Sequence, residues 1–131
     1  ALELGVDDSI SFPGFVAGSA KAELFDQHDI FLNTNVVDNA PVTVLEAAAS
    51  GLVVVSTDVG GIPDLLADGE AARLVPSGDP AAMADTVAHR LGDPGQAAPL
   101  ADAARVVAQR SQWPALRDCW LALSAEFVRL R

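Results

Sequence analysis

Apolar residues along this chain fall into two rhythms, short unbroken runs and helical spacings of three and four. Ile30-Phe31-Leu32 and Leu52-Val53-Val54-Val55 run without a polar break, the pattern of strands covered on both faces of a parallel sheet. Strands are predicted at residues 9–12, 29–35, 52–55 and 72–75. Helices are predicted at 19–28, from Pro41 to Ser50, from Pro63 to about 69, from Pro80 onward, at 98–110 and at 113–130, and residues 1–5 read as the end of another, with Gly5 at its cap. Asp79 precedes Pro80 as cap before first-turn proline, and Gly92-Asp93-Pro94-Gly95 breaks the chain. Met83, Val87 and Leu91 mark one buried helix face. Trp113, Leu116, Trp120, Leu123, Phe127 and Leu130 recur in alternating steps of three and four, a narrow seam that needs a partner surface. Strands alternating with helices imply an α/β protein built on a parallel sheet.

Residues 38–61 organise the rest. Pro41 disfavours helical geometry at Ala40, so a helix begins here with Asn39 or Ala40 at the cap and Pro41 in the first turn. Small residues run from Ala47 to Ser50, and Gly51 ends the helix in a left-handed cap. Asp38 sits ahead of the first turn, and Glu46 lies five residues past Pro41, about 7 to 8 Å along the axis. Between the two acids are the free amides and positive partial charge of a helix start, which favour phosphate. The spacing suits an elongated ligand with hydroxyls at both ends and phosphate in the middle, the layout of a nucleotide diphosphate sugar. The polar end of the 29–35 strand, the Asp38 loop and the Gly60-Gly61 loop all fall at one edge of the sheet, where such folds bind ligands.

Charge and composition narrow the function further. With 18 acidic against 8 basic residues the net charge is −10, which disfavours nucleic acid. One cysteine, Cys119, cannot form an internal disulfide, and no Cys or His cluster has metal-ligand spacing. No apolar run is long enough to cross a bilayer and no leader is visible, so a cytoplasmic protein is expected. The absence of Met at position 1 suggests a fragment, although removal of an initiator Met would look the same. Lys21, the only lysine, stands in the first turn of its helix, where the macrodipole gives it nothing. It either answers a nearby anion or is a solvated surface residue, and the solvated reading is preferred. His28 is explained by a helix C-terminus and His89 by solvation; neither is assigned a catalytic role.

Asp38, seven residues, Glu46, and then the stretch from Ala47 through Gly60-Gly61-Ile62-Pro63-Asp64 closely resemble the donor site of retaining glycosyltransferases of family 4, also called glycosyl transferases group 1. The resemblance covers about residues 4–129. It implies a two-domain GT-B enzyme in which this chain is the C-terminal part of the second, Rossmann-like domain. The implied reaction is transfer of a hexosyl group from a nucleotide diphosphate sugar with retention of configuration, in carbohydrate biosynthesis, with no metal or other cofactor. The family usually has Glu where this chain has Asp38, one methylene shorter with the charge kept.

Carried over residue by residue, the resemblance makes Asp38 the catalytic carboxylate that holds a sugar hydroxyl. Asn39, Ala40, Pro41, Val42 and Thr43 form the donor-binding loop and helix start, with the amides of Val42 and Thr43 on phosphate, and Glu46 accepts from the ribose. Gly60 and Gly61 complete the site, while Gly14 and Val16 are candidates for the base or an ordinary turn. Gln112-Trp113 stands where the family often has Ser-Trp, and the family's C-terminal helix crosses to the first domain; the alternative is a helix packed wholly within its own domain. Two strand–helix units carrying the basic diphosphate grip lie upstream in the family. The fragment alone is therefore expected to be inactive and prone to self-association. Its partners are the donor and the missing N-terminal acceptor domain, and any peripheral membrane contact belongs to that domain. The alternatives are a non-catalytic GT-B-like remnant or interaction module, and an epimerase of the same architecture, which lacks the small-residue signature.

Overall fold

Three of the predicted strands form, and they lie side by side in one parallel sheet. The computed structural model describes residues 2–129. Ile30–Asn33 (β1), Val53–Thr57 (β2) and Arg73–Val75 (β3) pair in the order β1-β2-β3. The register sets Ile30 beside Val53 and Asn33 beside Ser56, then Val55 beside Arg73 and Thr57 beside Val75. β2 is buried along its whole length, which is why its valine run lacks the alternation of a half-exposed strand.

The helices are Ser19–Asp26 (α1), Val42–Ser50 (α2), Ile62–Leu65 (α3), Pro80–Gly92 (α4), Pro94–Arg110 (α5) and Trp113–Arg129 (α6). Successive residues of β2 join different clusters, as a two-residue period requires. Val54 packs with Val44 and Ala48 of α2 and with Ala104 and Ala108 of α5. Val53 and Val55 pack with Ala101, and half-buried Met83 and Val87 lie against them. The alanines let α2 and α5 approach closely at the foot of the site. The Leu91 side chain, Ala1 and Leu130 lie outside the described residues.

Gly51 ends α2 as predicted, at φ 88°. Its amide donates to the Ala48 carbonyl at 3.1 Å and the Leu52 amide to the Ala47 carbonyl at 3.1 Å, the paired bonds of a Schellman motif. Leu52 then packs with Ala47 and Phe25. Gly51→Ala should lower stability by about 1 to 2 kcal/mol through the left-handed backbone. An added Cβ would meet only the Arg105 guanidinium, 2.1 Å away, and that flexible side chain can swing aside. A urea midpoint unchanged from wild type would contradict this.

Several boundaries differ from expectation. Residues 9–12 form no strand: Asp7–Ser9 is a 3-10 turn, Ile10 is extended at φ −122° and ψ 128°, and Ile10 and Phe12 are exposed. A strand needs a ladder partner, and no described backbone supplies one there. α1 stops at Asp26 rather than at 28, with the His28 ring donating from Nδ1 to the Leu24 carbonyl at 2.6 Å as a C-terminal cap. α3 is shorter than predicted because Leu66 is already extended. α5 starts at Pro94, four residues early, since proline fits the first helical position. None of the described α6 residues is buried, and Trp113, Trp120 and Phe127 are each more than half exposed.

Candidate functional site

The site is built around the start of α2. Pro41, at φ −68° and ψ 114°, is itself the cap, so the helix begins one residue later than predicted and neither Asn39 nor Ala40 caps it. The ring fixes φ alone, and an extended ψ lets the Pro41 carbonyl accept from the amides of Val44 at 3.1 Å and Leu45 at 3.4 Å. Among the described hydrogen bonds the amides of Val42 and Thr43 have no acceptor. Both residues are exposed, as are Asn39 and Ala40. Free amides at a helix start carry the positive end of the dipole outward.

Asp38 is half-buried and held by a relay of polar groups at the ends of β1 and β2. Buried Asn33 donates from Nδ2 to Ser56 Oγ at 3.0 Å, and that hydroxyl donates to the Thr57 carbonyl at 3.0 Å. Thr57 Oγ1 donates to the Asn35 carbonyl at 2.6 Å, and Asn35 Nδ2 donates to Asp38 Oδ2. None of Asn33, Asn35, Ser56 or Thr57 is among the site residues expected from sequence. Their signal was present as polar residues closing two apolar runs at the ligand-binding edge.

The glycine pair does something more definite than approach a ligand. Gly60 has φ 57°, and a Cβ there would lie 1.4 Å from the Asp38 carbonyl oxygen; a Cβ on Gly61 would lie 2.1 Å from that of Asn39. The Gly61 amide donates to the Asp38 carbonyl at 3.3 Å. The two loops are therefore in backbone contact, and only glycine fits between them. This contact sets where the Asp38–Asn39 segment enters α2.

Glu46 points to α1. Lys21 Nζ donates to both of its carboxylate oxygens, each at 2.7 Å, with the side chains about one-third exposed. The preferred reading of Lys21 as a solvated surface residue is thus corrected: it answers the nearby anion. Gly14 and Val16 are not brought to α2 by any described hydrogen bond. Gly14 has φ 74° with open space around it, so its glycine serves the turn, and Val16 is half-buried. An apolar cavity of 540 Å³, lined by residues such as Leu32, Val36, Thr57, Met83 and Val87, opens beside the sheet edge, and neither acid lines it. Among the described residues no group of His, Cys, Asp and Glu could hold a metal ion, and no helix is long and apolar enough to cross a membrane.

The chain and its fold have counterparts in known proteins. Phosphatidyl-myo-inositol mannosyltransferase of Mycobacterium leprae is 30% identical over 126 residues, 95% of this chain and 28% of its own length. Sucrose-phosphate synthase of Thermosynechococcus elongatus superposes with a TM-score of 0.89 at 23% identity, covering 99% of this chain and 33% of that one. The Anabaena protein HepE in complex with UDP-glucose gives 0.84 at 24% identity, over 95% of this chain and 34% of its own. The chain thus spans about a third or less of each of these three proteins, and its Rossmann-like sheet is that of GT-B glycosyltransferases. The family model for glycosyl transferases group 1 matches residues 1–93, which hold the whole α2 site with its two acids and its glycine loop, and this chain belongs to that family.

Proposed function

We propose that this chain is the donor-binding part of a retaining, two-domain hexosyltransferase, taking a nucleotide diphosphate sugar. The single observation that carries the reading is the start of α2, where the amides of Val42 and Thr43, without an acceptor among the described hydrogen bonds, lie along the chain between Asp38 and Glu46. The diphosphate sits on those amides, the ribose reaches Glu46 and the sugar reaches Asp38. HepE, a structural neighbour, is complexed with UDP-glucose, which supports a ligand of this class.

In the reaction the sugar's anomeric carbon loses the nucleoside diphosphate, which departs with the bonding electron pair and takes up the acceptor hydroxyl's proton, and gains the acceptor oxygen on the same face. The amides at the helix start are fixed before charge develops on the leaving group, and preorganised donors of that kind lower a barrier by several kcal/mol. No nucleophile or metal is needed for these roles. The acceptor site, the remaining diphosphate grip and a surface for the α6 seam come from the rest of the enzyme, in the cytoplasm.

Glu46→Gln tests the ribose role. In the full-length enzyme it should weaken UDP or GDP binding by about 10- to 100-fold, the worth of a hydrogen bond to a charged group, with the fold unchanged. Calorimetric titration decides it, and equal affinity for wild type and variant would sink the assignment. A protein that binds the nucleotide and transfers nothing to any acceptor would be an interaction module instead.

A further inference from the structure

Lys21 lies outside the stretch that gives the family its signature, on a different helix from Glu46 and 25 residues earlier in the chain. Its ammonium nevertheless bridges both Glu46 oxygens at 2.7 Å. We propose that Lys21 is the positioning residue of the donor site, fixing the Glu46 carboxylate in the orientation in which it accepts the two ribose hydroxyls. The inference rests on the ribose role of Glu46 proposed above.

Two features of the molecule support it. A carboxylate offers about four lone-pair sites, so an ammonium that takes one on each oxygen leaves one on each for a vicinal diol. Glu46 has several rotatable bonds and is about one-third exposed; among the described side-chain contacts Lys21 is its only partner, so without it nothing polar holds the carboxylate end. An exposed ion pair alone adds little to stability, so the place of this one beside the site fits orientation of Glu46 better than support of the fold.

The test uses the full-length enzyme and two probes, UDP and its 2′,3′-dideoxy analogue. Lys21→Met should weaken UDP binding about five- to tenfold, the equivalent of one net hydrogen bond, and Lys21→Arg should restore most of it. The dideoxy analogue should bind wild type and Lys21→Met alike, because it has no hydroxyls for Glu46 to accept from. In a Glu46→Gln background Lys21→Met should have no further effect on UDP. Unchanged or tighter UDP binding by Lys21→Met, with Glu46→Gln weakened, overturns the proposal and leaves the ribose role of Glu46 standing. Equal weakening for both probes also overturns it, since Lys21 would then act through the fold or through net charge. If Glu46→Gln binds UDP as wild type does, the ribose role itself fails, and the proposal with it.

Discussion

Gly60→Ala should cut kcat/KM by at least about 10²-fold while lowering stability only modestly. The added methyl carbon would sit 1.4 Å from the Asp38 carbonyl oxygen, far inside any tolerable contact, and the obstacle is backbone rather than a side chain that can turn away. The loops must part by more than an ångström, taking Asp38 and Asn39 away from the start of α2. Misplacement of a reacting group by about 1 Å costs on the order of 10²-fold. Stability suffers the left-handed backbone penalty, about 1 to 2 kcal/mol, and the lost bond from the Gly61 amide to Asp38. Gly78→Ala is the control, because Gly78 has φ 80° with nothing within 4 Å of the added carbon. It should incur the backbone penalty and keep near-normal transfer. Steady-state kinetics on both variants, with melting temperatures beside them, check the claim. Wild-type turnover in Gly60→Ala would show that the loop contact does not place the site.

The sequence made the parallel sheet, the α2 helix and its Gly51 cap legible because each depends on local signals. A β-branched run, a proline before a helix and a glycine after it are read without knowing what lies nearby. Tertiary relations were not legible in the same way. The Lys21–Glu46 pair joins residues 25 apart; the helix dipole hinted at an anion near Lys21, but nothing local named Glu46, and solvation was preferred as the commoner state of a surface lysine. The strand expected at residues 9–12 failed for the matching reason: its apolar residues satisfy a strand pattern, but a ladder needs a neighbour, and Ile10 and Phe12 are left exposed. Gly60-Gly61 stood out as part of the resembled donor site, yet what lies against the pair is the Asp38–Asn39 backbone. The seam on α6 shows the same limit from the other side. Its spacing calls for a partner, and its tryptophans and phenylalanine are left exposed by the described residues.

Asp38→Asn should slow transfer by about 10²- to 10³-fold, the loss typical when one preorganised polar group is removed from a reacting centre, and leave UDP affinity close to that of wild type. The two effects separate because Asp38 stands ahead of the helix start, on the opposite side of the free Val42 and Thr43 amides from Glu46 along the chain. Asparagine keeps the shape of the side chain and an oxygen that can still accept from Asn35 Nδ2, now the partner of Asp38 Oδ2. The relay from Asn33 through Ser56 and Thr57 should therefore survive, and the loop with it, so that the variant loses the charge and little else. Asp38→Ala makes a useful contrast: it strips Asn35 of its partner as well, so the loop loosens and UDP affinity falls along with turnover. The experiment compares turnover with product affinity, measured by transfer assay and calorimetry on the full-length enzyme. An Asp38→Asn enzyme that lost UDP affinity yet kept its turnover would mean that the two acids have exchanged roles, with Asp38 on the nucleotide side and Glu46 on the sugar.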